Sequence, residues 1–197
     1  MLVAVEPLLF EEVGEAFRSL APPSLGTPRI RARRYGLKVW YGSEAPEKEH
    51  YEVQVISATH ASDATVLALE IGFHSEYQRL ADNEAVLGWL MQHERRWHAG
   101  IGREAVAGAF LGSAGAWRRL SETWADPDLS DPGLVTELAV RLADYVSALE
   151  SVRRRREIAS TPDVDRPGRR QTLRTLDEGR ARRAEGDAEP VRGRGRR

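Results

Sequence analysis

The chain has 197 residues, of which 41% are hydrophobic and 30% charged, and it contains no cysteine. The absence of cysteine excludes disulfides and thiolate metal sites, and the composition is that of a soluble globular protein. The N-terminal residues lack a basic segment and are interrupted by Glu6 and Pro7, and no run approaches the ~18 apolar residues of a membrane span. We therefore expect a cytoplasmic protein that does not enter a membrane.

Charge and aromatic residues are distributed unevenly along the chain. Residues 1–150 carry 14 basic and 22 acidic residues, a net charge of −8, and residues 151–197 carry 15 Arg and 8 acidic residues, a net charge of +7. Every Trp, Tyr and Phe lies in the first part. A segment with few bulky side chains cannot offset its ordering entropy. We predict one globular domain over residues 3–157 and a disordered basic tail over residues 158–197.

The first predicted element is a helix over residues 7–20. Pro7 suits the first helical position, and apolar residues recur at four-residue spacing on one face. Residues 29–41 are rich in β-forming side chains and predict one long strand, in which Gly36 is a kink or a bulge. A hairpin loop over residues 42–48 should follow.

Two further strands are predicted over residues 51–57 and 65–73, because apolar and polar side chains alternate along both. Alternation over this length favours an antiparallel sheet with one face on the core. Residues 105–111 fit either a fourth strand or a buried turn of helix, and periodicity does not decide between the two.

Three helices are predicted after the third strand. Ser75–Gln78 fits the capping-box pattern and predicts a helix that His98–Gly102 ends. Residues 113–124 also predict a helix, and the last helix should begin after Asp131 as N-cap and extend beyond Val152. The expected fold class is α+β, with a three- or four-stranded antiparallel sheet packed on one face by helices and a long C-terminal helix.

Polar residues mark the opposite face of the predicted sheet. Alternation places Glu52 and Gln54 on the second strand and Glu70 and His74 on the third. Arg34, Lys38 and Trp40 share one face of the first strand if Gly36 does not shift the register. Since carboxylates and imidazoles share proton-transfer work, Glu52, Glu70 and His74 are the candidate catalytic residues and the other four are candidate binding residues. The alternative is cross-strand charge pairing on a solvated face, and the unknown register leaves both open.

Two other motifs predict structure and not chemistry. His93 and His98 are five residues apart, which points their imidazoles to different sides of a helix, whereas a zinc-binding helix needs a spacing of four. Gly100–Ala105 matches the letters of a dinucleotide-binding turn but follows a helix, so it predicts a helix end. We therefore assign neither a metal nor a cofactor from the sequence.

The order of helix, three strands, helix and a further strand is similar to the restriction-endonuclease-like core. That resemblance implies a metal-dependent nuclease or hydrolase, with Asp63, Glu70 and a first-helix carboxylate such as Glu15 in the acidic positions. It also requires a Lys two residues after Glu70, where this chain has Gly72. The resemblance covers residues 7–111.

The absence of a recognisable catalytic constellation favours a non-catalytic binding or adaptor protein, with another protein as its partner. Trp and Arg are favoured interface residues, and the chain has five Trp and 27 Arg against two Lys, a bias that suggests a GC-rich bacterial genome. Nucleic acid is the alternative partner for the tail. The Arg-Gly segment that would contact phosphates comprises Arg192, Arg194, Arg196 and Arg197. The oligomeric state does not follow from the sequence.

Overall fold

The computed structural model describes residues 8–42, 48–112 and 115–160. The tail predicted over 158–197, with its four terminal arginines, lies almost wholly outside these residues, so the predicted domain boundary stays a prediction. The helices are α1 (Leu9–Leu20), α2 (Leu80–Gln92), α3 (Glu94–Ile101) and α4 (Leu134–Ser160). The strands are β1 (Arg29–Arg33), β2 (Gly36–Trp40), β3 (Glu49–Ser57), β4 (Leu67–Ser75), β5 (Val106–Ala109) and β6 (Arg118–Ala125).

The strands form one sheet in the order β1-β2-β3-β4-β6-β5, and every neighbouring pair is antiparallel. The α+β class and the antiparallel sheet are confirmed. The predicted size of three or four strands is wrong, because the described residues contribute six.

The single strand predicted over residues 29–41 is two strands. β1 and β2 form a hairpin in which Arg33 pairs with Gly36, so Arg34 and Tyr35 make a two-residue turn. This turn lacks the Asn-Gly or Asp-Gly pair that usually marks such hairpins, which is why β-propensity alone merged the two strands. Gly36 is therefore not a bulge: it opens β2, where a Cβ would lie 3.0 Å from the Val53 carbonyl oxygen.

The helix predicted over residues 113–124 is wrong, because Arg118–Ala125 forms strand β6 between β4 and β5. Trp117, Leu120 and Trp124 are spaced three and four residues apart, which imitates a helical stripe. Pairing on both sides of β6 overrides that local pattern. The same pairing settles residues 105–111, of which Val106–Ala109 form the edge strand β5.

The capping box predicted at Ser75 is also wrong. Ser75 ends β4, α2 begins at Leu80, and no side-chain hydrogen bond caps it. The predicted single helix is interrupted at His93, where α2 gives way to α3. Its predicted end is confirmed, since α3 stops before Gly102, whose φ of 78° is in the left-handed region.

The core lies between one face of the sheet and the four helices. Leu69, Ile71 and Phe73 of β4 pack in the same buried cluster as apolar residues of α1, α2, α3 and α4. The predicted first and last helices are confirmed, and Asp131 accepts a hydrogen bond from the Gly133 amide just before α4 (2.7 Å). Within the described residues, no helix is both long and apolar enough to cross a membrane. All helices of the core use one sheet face, so the other face carries the polar residues.

Gly72 sets the distance between β4 and β6 on that polar face. A Cβ at this position would lie 2.4 Å from Ser121 Cβ and 2.5 Å from the Leu120 carbonyl oxygen. We expect Gly72→Ala to lower the free energy of unfolding by about 1–3 kcal/mol through overpacking, measured by urea denaturation. Gly108→Ala on β5, where a Cβ meets nothing within 4 Å, is the matched control. Equal stability of the two variants would contradict this account.

Asp126 joins the end of β6 to the start of β4. Its carboxylate accepts hydrogen bonds from the Thr65 hydroxyl (2.6 Å) and from the amides of Thr65, Val66 and Leu67. The Thr65 hydroxyl and these amides lower the pKa of Asp126 to about 2.

We expect the carboxylate of Asp126 to stabilise the fold above its unfolded pKa of about 4, and this stabilisation to disappear as the pH falls through the folded value. Asp126→Asn should therefore be less stable than the parent at pH 7, with a smaller difference at pH 3. Urea denaturation at both pH values measures this. Asp63→Asn in an exposed turn should leave stability unchanged, and a pH-independent effect of Asp126→Asn would refute the assignment.

Candidate functional site

The sheet register brings the polar residues of four strands onto one face. Directly opposed pairs on this face are Lys38 with Glu52, His50 with His74, Gln54 with Glu70, and Gly72 with Ser121. The face is not open to solvent at its centre, since Glu70 and His74 are both 0% exposed. Simple charge pairing on a solvated face therefore does not describe it.

Aromatic side chains enclose one end of this face. The ring of Phe110 meets His74 edge-on at 5.6 Å, and Trp117 packs on Phe110 at 5.3 Å. Asn83 of α2 is fully buried and donates hydrogen bonds to the carbonyl oxygens of Tyr77 (2.9 Å) and Ala116 (2.9 Å). Asn83 thus ties the segment after β4 to the segment before β6.

Glu70 is the central carboxylate. It accepts hydrogen bonds from Gln54 Nε2 (2.7 Å) and Ser121 Oγ (2.7 Å), and Arg119 Nε lies 3.6 Å from Oε1. Arg119 also donates to Ser121 Oγ (2.6 Å), so the cation reaches Glu70 both directly and through the hydroxyl. A buried carboxyl group needs such partners to offset its lost hydration.

His74 stands between two carboxylates. Its Nδ1 lies 3.7 Å from Glu52 Oε2 and its Nε2 lies 3.5 Å from Glu70 Oε1. Among the described residues, neither ring nitrogen has a hydrogen-bond partner. Burial lowers the pKa of His74, against the opposing effect of Glu70 and Glu52, so the imidazole is neutral at pH 7. A buried neutral imidazole with an unused lone pair is the state that binds metal ions.

Four side chains form a compact group of metal-binding type. One ligating atom from each of His50, Glu52, His74 and Glu76 lies within 4.8 Å of all the others. His50 Nε2 is 3.2 Å from Glu52 Oε2 and 3.5 Å from Glu76 Oε1. Ligands bound at about 2.0–2.2 Å to one ion lie at most about 4.4 Å apart, so small shifts would let these four share an ion. We call this group the His-Glu cluster.

Lys38 already contacts two carboxylates of the His-Glu cluster. Its Nζ lies 3.3 Å from Glu52 Oε2 and 2.9 Å from Glu76 Oε1. Burial raises the pKa of Glu52, but the hydrogen bond from His50 and the charges around it, including that of Lys38, lower it overall to about 2. Glu52 is therefore ionised at any physiological pH, which suits a permanent cation ligand better than a group that exchanges protons.

A cavity of about 350 Å³ reaches this cluster. The residues that line it are Arg33, Arg34, Tyr35, Gly36, Lys38, Glu52 and Gln54. Glu52 belongs to both the cavity and the His-Glu cluster, so a molecule in the cavity would lie beside the proposed ligands.

The structure brings together five of the seven residues singled out from the sequence: Lys38, Glu52, Gln54, Glu70 and His74. Arg34 lies in the β1–β2 turn and lines the cavity, and Trp40 lies beneath the guanidinium of Arg31 (5.8 Å). Whether these residues act in catalysis or binding stays a prediction.

Sequence reasoning missed His50, Glu76, Arg119 and Ser121. His50 shares the alternation of Glu52 and Gln54 and could have been found by extending the strand predicted over residues 51–57 by one residue at its start. Glu76 follows the end of β4, and no periodic signal marks it. Arg119 and Ser121 were hidden by the helix predicted over β6.

The acidic positions implied by the endonuclease resemblance do not meet. Glu15 is exposed on α1, which packs on the apolar sheet face, and Asp63 is exposed in the turn before β4. Gly72 cannot be replaced by a Lys without a collision with Ser121 and the Leu120 carbonyl. The structure therefore supports no site built on that pattern, although Glu70 itself lies in the polar face.

The tryptophans considered as interface anchors take part in internal contacts. Trp40 and Trp97 are buried. The indole N–H of Trp89 donates to the Val152 carbonyl, and that of Trp97 donates to the Leu90 carbonyl. The indole N–H of Trp124 donates to the Glu122 carboxylate. His93 lies next to Trp89, with its Nδ1 2.8 Å from the Trp89 carbonyl oxygen. These contacts explain the tryptophans structurally, and an adaptor role stays untested.

We expect Glu70→Gln to lower the free energy of unfolding by about 3–5 kcal/mol, because it removes the carboxylate that compensates a buried cation. Arg119 would be left with a neutral amide, whose NH₂ cannot accept the hydrogen bonds from Gln54 and Ser121. Urea denaturation measures the loss. Glu94→Gln, at an exposed site on α3, is the control and should change stability by less than about 0.5 kcal/mol. A loss of less than about 0.5 kcal/mol for Glu70→Gln would show that Glu70 does not compensate the buried cation.

The polar face thus holds a neutral buried imidazole, three neighbouring carboxylates and an adjoining cavity. Comparisons of the chain with protein-family models, with curated proteins and with solved structures give no match.

Proposed function

We propose that this protein is a metal-dependent hydrolase that binds a divalent transition-metal ion through His50, Glu52, His74 and Glu76. The observation that carries the proposal is the position of His74, fully buried with neither ring nitrogen hydrogen-bonded among the described residues. Leaving a buried polar group without a partner costs about 1–3 kcal/mol, so such groups call for an explanation. A metal ion would supply the missing partner.

The two nitrogens of His74 face different kinds of neighbour. Nδ1 faces Glu52, a member of the His-Glu cluster, and Nε2 faces Glu70, which lies outside it. Metal-binding histidines usually direct one nitrogen at the ion and donate the other N–H to a carboxylate or carbonyl. Glu70 fits the second role, because its other partners already hold it in place.

The donor set favours a first-row transition metal. Two imidazoles and two carboxylates suit Zn²⁺, Mn²⁺ or Fe²⁺, whereas Mg²⁺ and Ca²⁺ prefer sites made only of oxygen. The charges favour a bound cation of any kind, since three carboxylates (Glu52, Glu70 and Glu76) meet the side-chain cations of only Lys38 and Arg119 in this part of the described structure.

Lys38 competes for the place of the ion. Its ammonium group contacts Glu52 Oε2 and Glu76 Oε1, the same two oxygens that His50 Nε2 approaches. An ion bound between these oxygens would displace the ammonium, and the cavity that Lys38 lines offers it room. Lys38 then lies where it can contact a substrate.

Hydrolysis is the reaction that the surroundings support best. A bound divalent ion would polarise a substrate oxygen and acidify water. Glu52, one of the residues that line the cavity, is held ionised and does not take the proton, which passes to solvent. The water oxygen bonds to the electrophilic atom and keeps one hydrogen, the ester bond breaks, and the leaving oxygen takes a proton from solvent in place of the one that water released. The balance needs no reagent besides water.

Metal binding is tested by calorimetric titration of the chelator-treated full chain with Zn²⁺ and with Mn²⁺. We expect one ion per chain, and at least tenfold weaker binding for His74→Ala and for the near-isosteric Glu52→Gln. Lys38→Met should bind the ion more tightly, because it removes the competing ammonium. Hydrolysis is then assayed on p-nitrophenyl carboxylic and phosphoric esters, where activity should depend on the added ion and disappear in Glu52→Gln.

His60→Ala, at an exposed site between β3 and β4, is the control and should bind the ion as the parent does. Circular dichroism and thermal melting show whether each variant folds. The absence of stoichiometric binding in the folded parent would overturn the metal site. Binding without ion-dependent hydrolysis of any ester would overturn the hydrolase assignment.

A further inference from the structure

One segment of the domain has a charge opposite to that of its surroundings. Residues 19–43 contain five cations and no acidic residue, although residues 1–150 carry a net charge of −8. This segment comprises β1, β2 and the turn between them, so the cations are concentrated on one hairpin at the edge of the sheet.

The register places these cations in a row. Arg29, Arg31 and Arg33 are all exposed and lie opposite Trp40, Lys38 and Gly36 of β2, on the polar face. Alternate residues of a strand are about 6.7 Å apart. That spacing is comparable to the separation of successive phosphates along an extended nucleic-acid strand. No ion pair joins Arg31, Arg33 or Arg34 to a carboxylate of the described residues, so these cations are available to an external anion.

Two cavities follow this row. Arg33, Arg34 and Lys38 line the cavity that reaches Glu52, and Arg29, Arg31 and Trp40 line a second one of about 590 Å³. Both cavities are therefore bordered by guanidinium groups, and the first is also lined by Glu52, one of the proposed metal ligands. A small phosphate compound would use one cavity, whereas a chain of phosphates would use both.

An exposed aromatic side chain lines the first cavity. Tyr35 is 40% exposed, and the guanidinium of Arg34 lies 5.1 Å from its ring centroid. Single-stranded nucleic acids bind to such combinations, since bases stack on aromatic rings and phosphates pair with cations. A flat ring beside a row of arginines is not required for the recognition of phosphate alone.

We propose that the β1–β2 hairpin binds a single-stranded nucleic acid and leads its phosphodiester backbone to the His-Glu cluster. This inference rests on the proposed hydrolase function for its chemistry and names its substrate class. The step is the addition of water to a phosphodiester: the water oxygen bonds to phosphorus, one ester P–O bond breaks, and the leaving sugar oxygen takes a proton. The products are a phosphate monoester and an alcohol.

Binding is tested on the full chain with a fluorescein-labelled twelve-nucleotide oligothymidine, by anisotropy in EDTA so that no metal contributes. With about three phosphates neutralised, the slope of log affinity against log salt should be about −2, so that doubling the salt weakens binding about fourfold. The double variant R31E/R33E should bind more than about tenfold less tightly than the parent. Tyr35→Ala should weaken binding with no change of the salt slope, because it removes only the stacking.

The matched control is R95E/R96E, which makes the same change of net charge at exposed positions of α3. It should bind the oligonucleotide as the parent does. That result would show that the loss in R31E/R33E comes from the hairpin and not from the change of net charge, and that the arginines of the tail do not account for binding. Equal losses in the two double variants would overturn the proposal. Inorganic phosphate and thymidine monophosphate should compete poorly with the labelled oligonucleotide. If either competes as well, per molecule, as an unlabelled oligonucleotide, the proposal is overturned in favour of a small phosphate ligand.

The metal titration of R31E/R33E separates this inference from the proposed function. We expect unchanged ion binding, since neither arginine contacts the His-Glu cluster. If the hairpin binds the oligonucleotide but the protein binds no metal, nucleic-acid recognition stands. The proposal that the hairpin leads the phosphodiester backbone to a hydrolytic site is then overturned. Metal-dependent ester hydrolysis without oligonucleotide binding would sustain the hydrolase and overturn the inference drawn from the hairpin.

Discussion

The burial of Glu70 is the constraint on which the polar face depends. A carboxyl group without solvent contact must find its partners inside the protein, and Glu70 draws them from three strands: Gln54, His74, and Ser121 with Arg119. Gln54, Ser121 and Arg119 reach it only in the observed register, because a slip by one residue would turn each of them to the apolar face, whereas His74 shares the strand of Glu70. The charged network therefore adds to the hydrophobic core in specifying the pairing of β3, β4 and β6.

The polar face contains two different electrostatic environments, one at its centre and one at its edge. At its centre, carboxylates and imidazoles are crowded together under Phe110 and Trp117, where a divalent cation would be stabilised. At its edge, the arginines of β1 are exposed and suit an anion. Lys38 lies between the two and contacts the carboxylates while it lines the cavity. A substrate that carries negative charge would be attracted to the edge and have its charge neutralised at the centre.

Sequence patterns predicted the elements whose neighbours agree with their local preferences. The amphipathic spacing of α1 and α4 and the alternation of β3 and β4 gave correct types, since each buries one face against the same core. The failures were at β6, where helical spacing of apolar residues was overridden by pairing on both sides, and at the turn of Arg34 and Tyr35, which lacks the usual residues. Ser75 was misread because its hydroxyl donates to Asn83, eight residues later, and does not cap a helix.

The amino-acid sequence by itself determined which residues of β3 and β4 share a face, because alternation is a local property of an extended chain. It also determined the concentration of cations in residues 19–43. Only the tertiary structure decided that Glu52, Glu70 and His74 meet, that His50 and Glu76 join them, and that Arg119 approaches from a strand that reads as a helix. Register, burial and the order of strands depend on contacts between residues far apart in the chain, which no local pattern contains.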